Sequence, residues 1–352
     1  RKLLLWDEKR CGMKELSEVY QRIAPELMRV VEERYVLLNH ISYAQPVGRR
    51  MLAGLSKLSE RVVRSHVEIM KDNGLIDFTQ QGMMLTDEGK ELLPKLTVSL
   101  QEMNKIGELE EALREALCID RVIITGTTGE AATDRKELGF NASKLLQDVV
   151  TPGAVIAVSG GSTMAAVAEA LPVKRVKPIV IPARGGIGER VEYQANVIAS
   201  VMADKLQGIY KMLHLPDGLT KESLAILTTM EPQIKEIMEL AARTDVLMFG
   251  IGEAIHMAEQ RHISDAQRED LRRKRAVGEA LGYYCDIDGT IVYATNNVGI
   301  DFADIGRIAH VIAVAGGAVK ARAIIGVMRA CHRGTLIIDE AAAEAMMALL
   351  RR

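Results

Sequence analysis

The residues of this chain best suited to chemistry lie in the run Val155-Ile156-Ala157-Val158-Ser159-Gly160-Gly161-Ser162-Thr163-Met164, which continues through an Ala-rich stretch to Leu171. The short apolar run predicts a buried strand, the two glycines among hydroxyl residues a tight turn, and the apolar-periodic continuation a helix. Amide groups at a helix start have no intrahelical acceptor and lie at the positive end of the helix dipole. With Ser162 and Thr163 beside them they suit a phosphate. The spacing is neither GxGxxG nor GxxxxGK[ST], and the Lys of the latter is absent, so an ordinary glycine turn between strand and helix stays open as a reading of this motif alone.

Three further turns resemble it in composition. Pro182-Ala183-Arg184-Gly185-Gly186-Ile187-Gly188 precedes a stretch bearing Glu192, Gln194 and Asn196. Phe249-Gly250-Ile251-Gly252-Glu253 and Ala315-Gly316-Gly317-Ala318-Val319-Lys320 complete the set. Each alone is more often a turn than a site. Together they would bring Arg184 and Lys320 to a pocket rich in N–H donors, the composition expected for a phosphorylated ligand. Glu279, within AVGEALGYY, could accept hydrogen bonds from sugar hydroxyls, or be a solvated carboxylate on a loop.

The elements that would position these turns alternate from Cys118 onward. Strands are predicted at 121–125, 155–158, 175–181, 245–249, 283–284 with 290–293, 310–314 and 335–338, most of them separated by helical runs such as 133–150. This pattern predicts a mainly parallel, doubly wound α/β sheet covered on both faces. In such sheets ligands sit beyond the C-terminal ends of the strands, where the glycine turns gather.

The first ninety residues read differently. Helical apolar spacing runs from Met13 to Ala44 with a pause at Pro25. A helix led by Pro46, with Val47, Met51, Leu52 and Leu55 on its apolar face, is followed by a turn at 56–58. Ser59 is a good N-cap for a second helix, 60–73, whose buried side would be Val62, Val63, Val67, Ile69 and Met70. Asn73-Gly74 stops it, and residues 75–85 read as a two-stranded hairpin, giving the order of a winged helix-turn-helix. Between Ile41 and Leu75 six basic residues oppose three acidic ones, in a chain of net charge -2. Arg49, Arg50, Lys57, Arg61, Arg64 and Ser65 are the candidate DNA contacts, with Arg61 and Arg64 near the start of the second helix as the forked donors that base edges require. A merely solvated helix pair is the alternative.

With 48% apolar and 26% charged residues among 352, the composition is that of a globular protein with room for two domains. The near-neutral charge excludes a globally basic nucleic-acid coat. Cys11, Cys118, Cys285 and Cys331 are far apart and form no CxxC, so neither disulfides nor a structural metal is expected. No apolar run approaches the roughly 18 to 20 residues that span a bilayer, and no signal peptide is recognised, which points to the cytoplasm and away from membranes. Between the two regions, leucines from Leu92 to Leu117 recur at helical spacing, interrupted by Pro94 and Gly107, as in a linker helix or a dimer seam. The expected division is therefore a DNA-binding domain over 1–90, a linker or oligomerisation helix over 91–117, and an effector-binding domain over 118–352.

The winged-helix region, VSGGSTMAAVAEAL, PARGG followed by VEYQAN, FGIGE, AVGEALGYY, AGGAVKARAI and LIIDEAAAEAMMALL resemble the SorC family of bacterial sugar-responsive transcription regulators over nearly the whole chain. The resemblance implies a large domain similar to sugar-phosphate isomerases and deaminases. It also implies a homo-oligomer, a dimer to tetramer, that binds operator DNA as a repressor and is released or rearranged by a phosphorylated sugar. For the glycolytic member of the family that sugar is fructose-1,6-bisphosphate. By matching motif, Gly161, Ser162 and Thr163 would hold one phosphate, Arg184 and Lys320 would supply charge, and Gln194 and Glu279 would meet the sugar, with Gly160 and Gly250 also among the effector-binding residues. No catalytic residue, metal or cofactor is implied.

Two other classes compete. An isomerase-like enzyme would need a carboxylate or His base beside the carbonyl, for which Glu253, Glu279, His256 and His310 are available but match no arrangement of such enzymes. Dinucleotide binding at the Gly160 turn lacks the acidic residue about 20 positions later.

Overall fold

A computed structural model describes residues 25–103, 106–127, 130–185, 190–213, 220–295 and 299–351. The chain divides into two compact units, Arg1–Glu108 and Leu109–Arg352. The predicted helical stretch before Pro25 lies outside the described residues.

In the first unit α1 (Pro25–Ala44), α2 (Arg49–Ser56) and α3 (Glu60–Asp72) precede an antiparallel wing, β1 (Ile76–Phe78) and β2 (Met83–Leu85), and α4 (Asp87–Met103) follows. Leu37, Leu38 and Ile41 of α1, Leu52 of α2, Val63, Val67 and Met70 of α3 and Ile76, Met83 and Leu85 of the wing form one buried apolar core. The predicted cap is made, since the Ser59 hydroxyl accepts from the Val62 amide at 3.4 Å. Gly74 supplies the positive φ of 72° that stops α3. The apolar faces differ in detail from expectation. Pro46 stands ahead of α2 rather than in its first turn, and Val47 leaves the helix to exchange two backbone hydrogen bonds with Met83. An eight-residue helix buries only a narrow stripe, Leu52 and Ala53, so Met51 and Leu55 are 58% and 41% exposed. Ile69 likewise faces outward on α3.

Helix α5 (Ile106–Leu117) spans the boundary, and in the second unit Glu110 accepts from the Ile124 amide at 2.8 Å and so ties the helix to the first strand. The chain then runs β3 (Arg121–Thr125), α6 (Ala131–Val149), β4 (Val155–Val158), α7 (Ser162–Ala170), β5 (Ile179–Pro182), α8 (Ala195–Lys205), β6 (Ile209–Tyr210), α9 (Lys221–Met230), α10 (Pro232–Ala241) and β7 (Val246–Gly250). It continues through β8 (Gly252–Glu253), α11 (Ala254–Gln260), α12 (Asp265–Arg273), β9 (Gly278–Ala280), β10 (Tyr283–Cys285), β11 (Ile291–Ala294), β12 (His310–Val314), α13 (Ala321–Cys331), β13 (Thr335–Asp339) and α14 (Glu340–Leu350).

Among the described residues the main sheet has seven parallel strands in the order β3-β13-β12-β7-β4-β5-β6. From β4 the chain winds outward through β5 to β6, then returns to β7 and winds the other way through β12 to β13. The topological switch point is therefore between β4 and β7. All-apolar strands such as Val155–Val158 are buried along their whole length, with α6, α7 and α8 packed over Ile156, Val158, Met248 and Val314.

Two predicted strands belong elsewhere. β10 and β11 pair antiparallel with each other and join β9 and β8 in a second, four-stranded sheet of order β11-β10-β9-β8. Short strands joined by turns of only a few residues fold back as hairpins, whereas a parallel neighbour needs a long crossover. Arg175 to Pro178 also stay outside β5.

Candidate functional site

Because every main-sheet strand is parallel, all their C-terminal ends open on one edge. β12, β7, β4 and β5 are consecutive in the sheet, and they are the four strands that end in the predicted turns. The Gly160, Arg184, Gly250 and Gly316 segments therefore sit side by side, bracketing the switch point. The predicted Gly186 and Gly188 lie outside the described residues.

At the β4 turn the glycines serve different ends. A Cβ on Gly160 would stand 2.8 Å from the Tyr193 carbonyl oxygen, so only glycine admits the stretch leading to Gln194 and α8. Gly161 has φ 112° and its amide donates to the same Tyr193 oxygen at 2.8 Å. The amides left without an acceptor among the described residues are those of Ser162, Thr163 and Met164, the first turn of α7, where both hydroxyl side chains are half-buried. Ser159 is spent on scaffolding. Its hydroxyl donates to the Gly160 carbonyl and accepts from the Gly250 amide, binding the ends of β4 and β7 together.

The second sheet brings the carboxylate. Glu279 is 2% exposed on β9, directly opposite Gly252 of β8, which corrects the reading of it as a solvated loop residue. Its Oε1 accepts from the Gly282 amide at 2.6 Å and lies 2.7 Å from Arg261 and 3.8 Å from Arg184. Arg184 is itself 8% exposed, and the backbone of Arg184 pairs with Gly299. Two guanidinium groups, that of Arg184 buried and that of Arg261 20% exposed, thus face this one carboxylate. The neighbouring Tyr284, paired across the strands with Glu279, has its phenol pushed upward by burial and by that carboxylate.

Lys320 approaches from the other side. Its Nζ donates to the Ile251 carbonyl at 3.3 Å, one residue before the Gly252 that faces Glu279. Arg184 follows β5 and Lys320 follows β12, so the two lie on either side of β7 and β4 in the sheet order. Burial first, and then Arg135, hold the Lys320 ammonium below the usual lysine range, with Asp339 acting the other way. Asp339 is buried, accepts from the Gly317 amide at 2.7 Å and caps α14 through the Ala342 amide. Gln194 is the N-cap residue of α8 and half-buried beside the Gly160 turn.

Arg261, Asp339 and Arg135 are site-edge residues that the sequence reading missed. Arg261 lies in the turn after α11 and Arg135 on α6, neither within a glycine motif, so nothing local marked them. Of the four bases considered for an enzyme, Glu279 alone lies in the buried cluster, where the Gly282 amide and Arg261 engage its Oε1. His310 begins β12 and so stands at the opposite edge of the sheet, while Glu253 and His256 are exposed, His256 beside Gln260. Among the described residues no His, Cys, Asp or Glu cluster could hold a metal, and no helix is long and apolar enough to cross a membrane.

In the first unit Arg49, Arg50, Lys57, Arg61, Arg64 and Ser65 are all exposed, on α2, α3 and the turn between them. Arg64 pairs with Glu68 at 3.0 Å and Arg50 with Glu60 at 3.8 Å, both on the surface. Behind Ser65, His66 is buried. Its Nδ1 accepts from Arg34 and so its Nε2 donates to Glu33 at 2.8 Å, which fixes α3 against α1.

A winged helix with its cations in solvent, joined in one chain to a parallel α/β unit whose donor-rich turns share an edge, defines a DNA-binding regulator that senses a small ligand. Residues 101–348 match the Sugar-bind family of sugar-binding domains, and residues 30–100 match the CggR N-terminal DNA binding domain. The chain is 39% identical over 339 residues to the Central glycolytic genes regulator of Priestia megaterium, covering 95% of this chain and 99% of that one. It is 35% identical over 338 residues to the protein of the same name from Bacillus subtilis, with the same coverage. A SorC family transcriptional regulator from Enterococcus faecalis superposes with a TM-score of 0.63 at 35% identity, over 68% of this chain and 99% of that one. The full-length Sorbitol Operon Regulator SorC from Klebsiella pneumoniae, at 19% identity, shares the fold over 90% of this chain and 98% of its own, with a TM-score of 0.62. The chain belongs to the SorC family and is a sugar-binding transcription regulator.

Proposed function

We propose that this protein is a repressor of central glycolytic genes whose grip on operator DNA is relieved by fructose-1,6-bisphosphate bound at the turn cluster. The observation that carries the reading is the convergence of four turns from four adjacent parallel strands, with Lys320 on one flank and the Arg184–Glu279–Arg261 cluster on the other. One phosphate would meet the Ser162, Thr163 and Met164 amides and Lys320. The second would lie toward Arg184, where Gln194 and Glu279 address the hydroxyls between. Gly160, Gly161 and Gly250 keep the backbone close enough for that contact. The names of the curated relatives favour glycolytic genes as targets.

Operator phosphates and base edges would be met by Arg49, Arg50, Lys57, Arg61, Arg64 and Ser65. The 91–117 connector would contribute to a homo-oligomer, and the protein would act in the cytoplasm. Ligand and DNA are coupled by linkage: a sugar that binds one arrangement of the regulator better shifts the population away from the operator-bound one, by no more than its differential affinity. Glu279, the candidate base in the cluster, is held by the Gly282 amide and Arg261, which favours a sensor over an isomerase or deaminase.

Thermal-shift titration of the full chain against sugar mono- and bisphosphates, paired with operator binding by fluorescence anisotropy, tests this. A saturable rise in Tm with fructose-1,6-bisphosphate that exceeds the rise with fructose-6-phosphate, and that weakens operator binding, is expected. Equal responses to both sugars would overturn the bisphosphate assignment, and turnover of either would overturn the sensor.

A further inference from the structure

We infer that Arg135 is an additional ligand-binding cation, placed on α6 so that it and Lys320 together form a charge pair that only a phosphate dianion completes. The inference rests on the turn cluster being a phosphosugar site and adds to it a residue outside every glycine motif.

Three observations place Arg135 there. It lies in the second turn of α6, the helix that leaves the C-terminal end of β3, and so begins at the same sheet edge as the turns. Leu138, one helical turn further along the same face, is so near the Gly316 backbone that a Cβ on Gly316 would stand 2.5 Å from its Cδ1. This packs that face of α6 against the turn that carries Lys320. Lys320, in turn, is repelled by Arg135, which adds to burial in lowering its ammonium. Half-buried Arg135 makes no ion pair or hydrogen bond with the described residues. Asp339 is the carboxylate that acts on Lys320, and its Oδ2 and Oδ1 each accept an amide, from Gly317 and Ala342.

Two cations held together beside one committed carboxylate cost stability in the empty protein and favour an arriving dianion. An arginine retained only for packing or solubility has no such double signature. Arg135→Gln should therefore weaken binding while leaving the empty protein as stable or more so.

The experiment uses the full chain as wild type, Arg135→Gln, Arg135→Lys and, as a distant surface control, Arg243→Gln. Each is titrated with fructose-1,6-bisphosphate and with inorganic phosphate, by calorimetry and by thermal shift. Arg135→Gln is expected to lose about tenfold in affinity for the sugar bisphosphate, the effect of one charged hydrogen bond, with an unliganded Tm equal to or above wild type. Arg135→Lys should fall between the two, and Arg243→Gln should match wild type. Unchanged affinity in Arg135→Gln overturns the inference, and so does an unliganded Tm several degrees lower, which would assign Arg135 to structure. A wild type that ignores both ligands would instead sink the phosphosugar reading, an outcome the variants do not mimic.

Discussion

The two units carry their cations in opposite ways. Arg49, Arg50, Lys57, Arg61 and Arg64 stand exposed to solvent, whereas Arg184 is 8% exposed and held with Arg261 around a Glu279 that is 2% exposed. Solvated cations suit a polyanion, whose binding gains from released counterions and falls with salt. Buried cations, already oriented by a carboxylate and by backbone carbonyls, suit one small anion of fixed shape, because their desolvation is completed during folding rather than at binding. The same residue types thus give reach in one unit and selectivity in the other.

The strongest way to break this comparison is at Glu279. Glu279→Gln sets the buried Arg184 and half-buried Arg261 guanidinium groups against a neutral amide, so the unit should lose about 3 kcal/mol, with the loss only weakly dependent on salt. A denaturant midpoint that moves little, or moves only at low salt, would show that the cluster behaves like a surface pair. Next comes Arg61→Ala with Arg64→Ala, expected to weaken operator binding about a hundredfold at moderate salt and to flatten the salt dependence, while leaving Tm unchanged. Unaltered operator affinity would remove α3 from the interface.

Gly160→Ala sharpens the ligand side. Its Cβ meets the Tyr193 oxygen, and the backbone must shift, so a loss of about 1 to 3 kcal/mol is expected together with a weaker bisphosphate response. Ser59→Ala removes the α3 cap and should cost about 1 kcal/mol in the first unit alone, as read by its own unfolding transition. The smallest effect is a pH dependence. The folded state depresses the Lys320 ammonium, so the unfolded chain binds that proton more firmly, and stability rises with pH from the depressed value up to the ordinary lysine value of about 10.4. Lys320→Met should remove that increment, and an unchanged pH profile would show that Lys320 is solvated like the α2 and α3 cations.

Much of the site was legible because turns and caps are local. Ser59, Gly74, Gly160, Gly161 and Gly317 meet requirements set by their immediate neighbours, and the parallel sheet follows from strands separated by helices. Phase was less legible. Met51 and Leu55 fit an apolar stripe by spacing, yet α2 begins at Arg49 and is too short to bury them. Assignment of strands to sheets was hidden too, since β10 and β11 have the apolar, β-rich content of core strands but connections that force a hairpin.

What the sequence determined by itself is the inventory: a basic helix pair with a wing, four glycine turns after apolar strands, and the family they resemble. These depend on backbone freedom and periodicity over a few residues. Only the tertiary structure decided which charges meet. Glu279 finds Arg184 across 95 positions of chain because β9 pairs with β8 while Arg184 follows β5, and Lys320 finds Ile251 because β12 and β7 are neighbours in the sheet. Contacts of that kind are set by strand order and the crossing of one sheet over the edge of another, which no local pattern encodes.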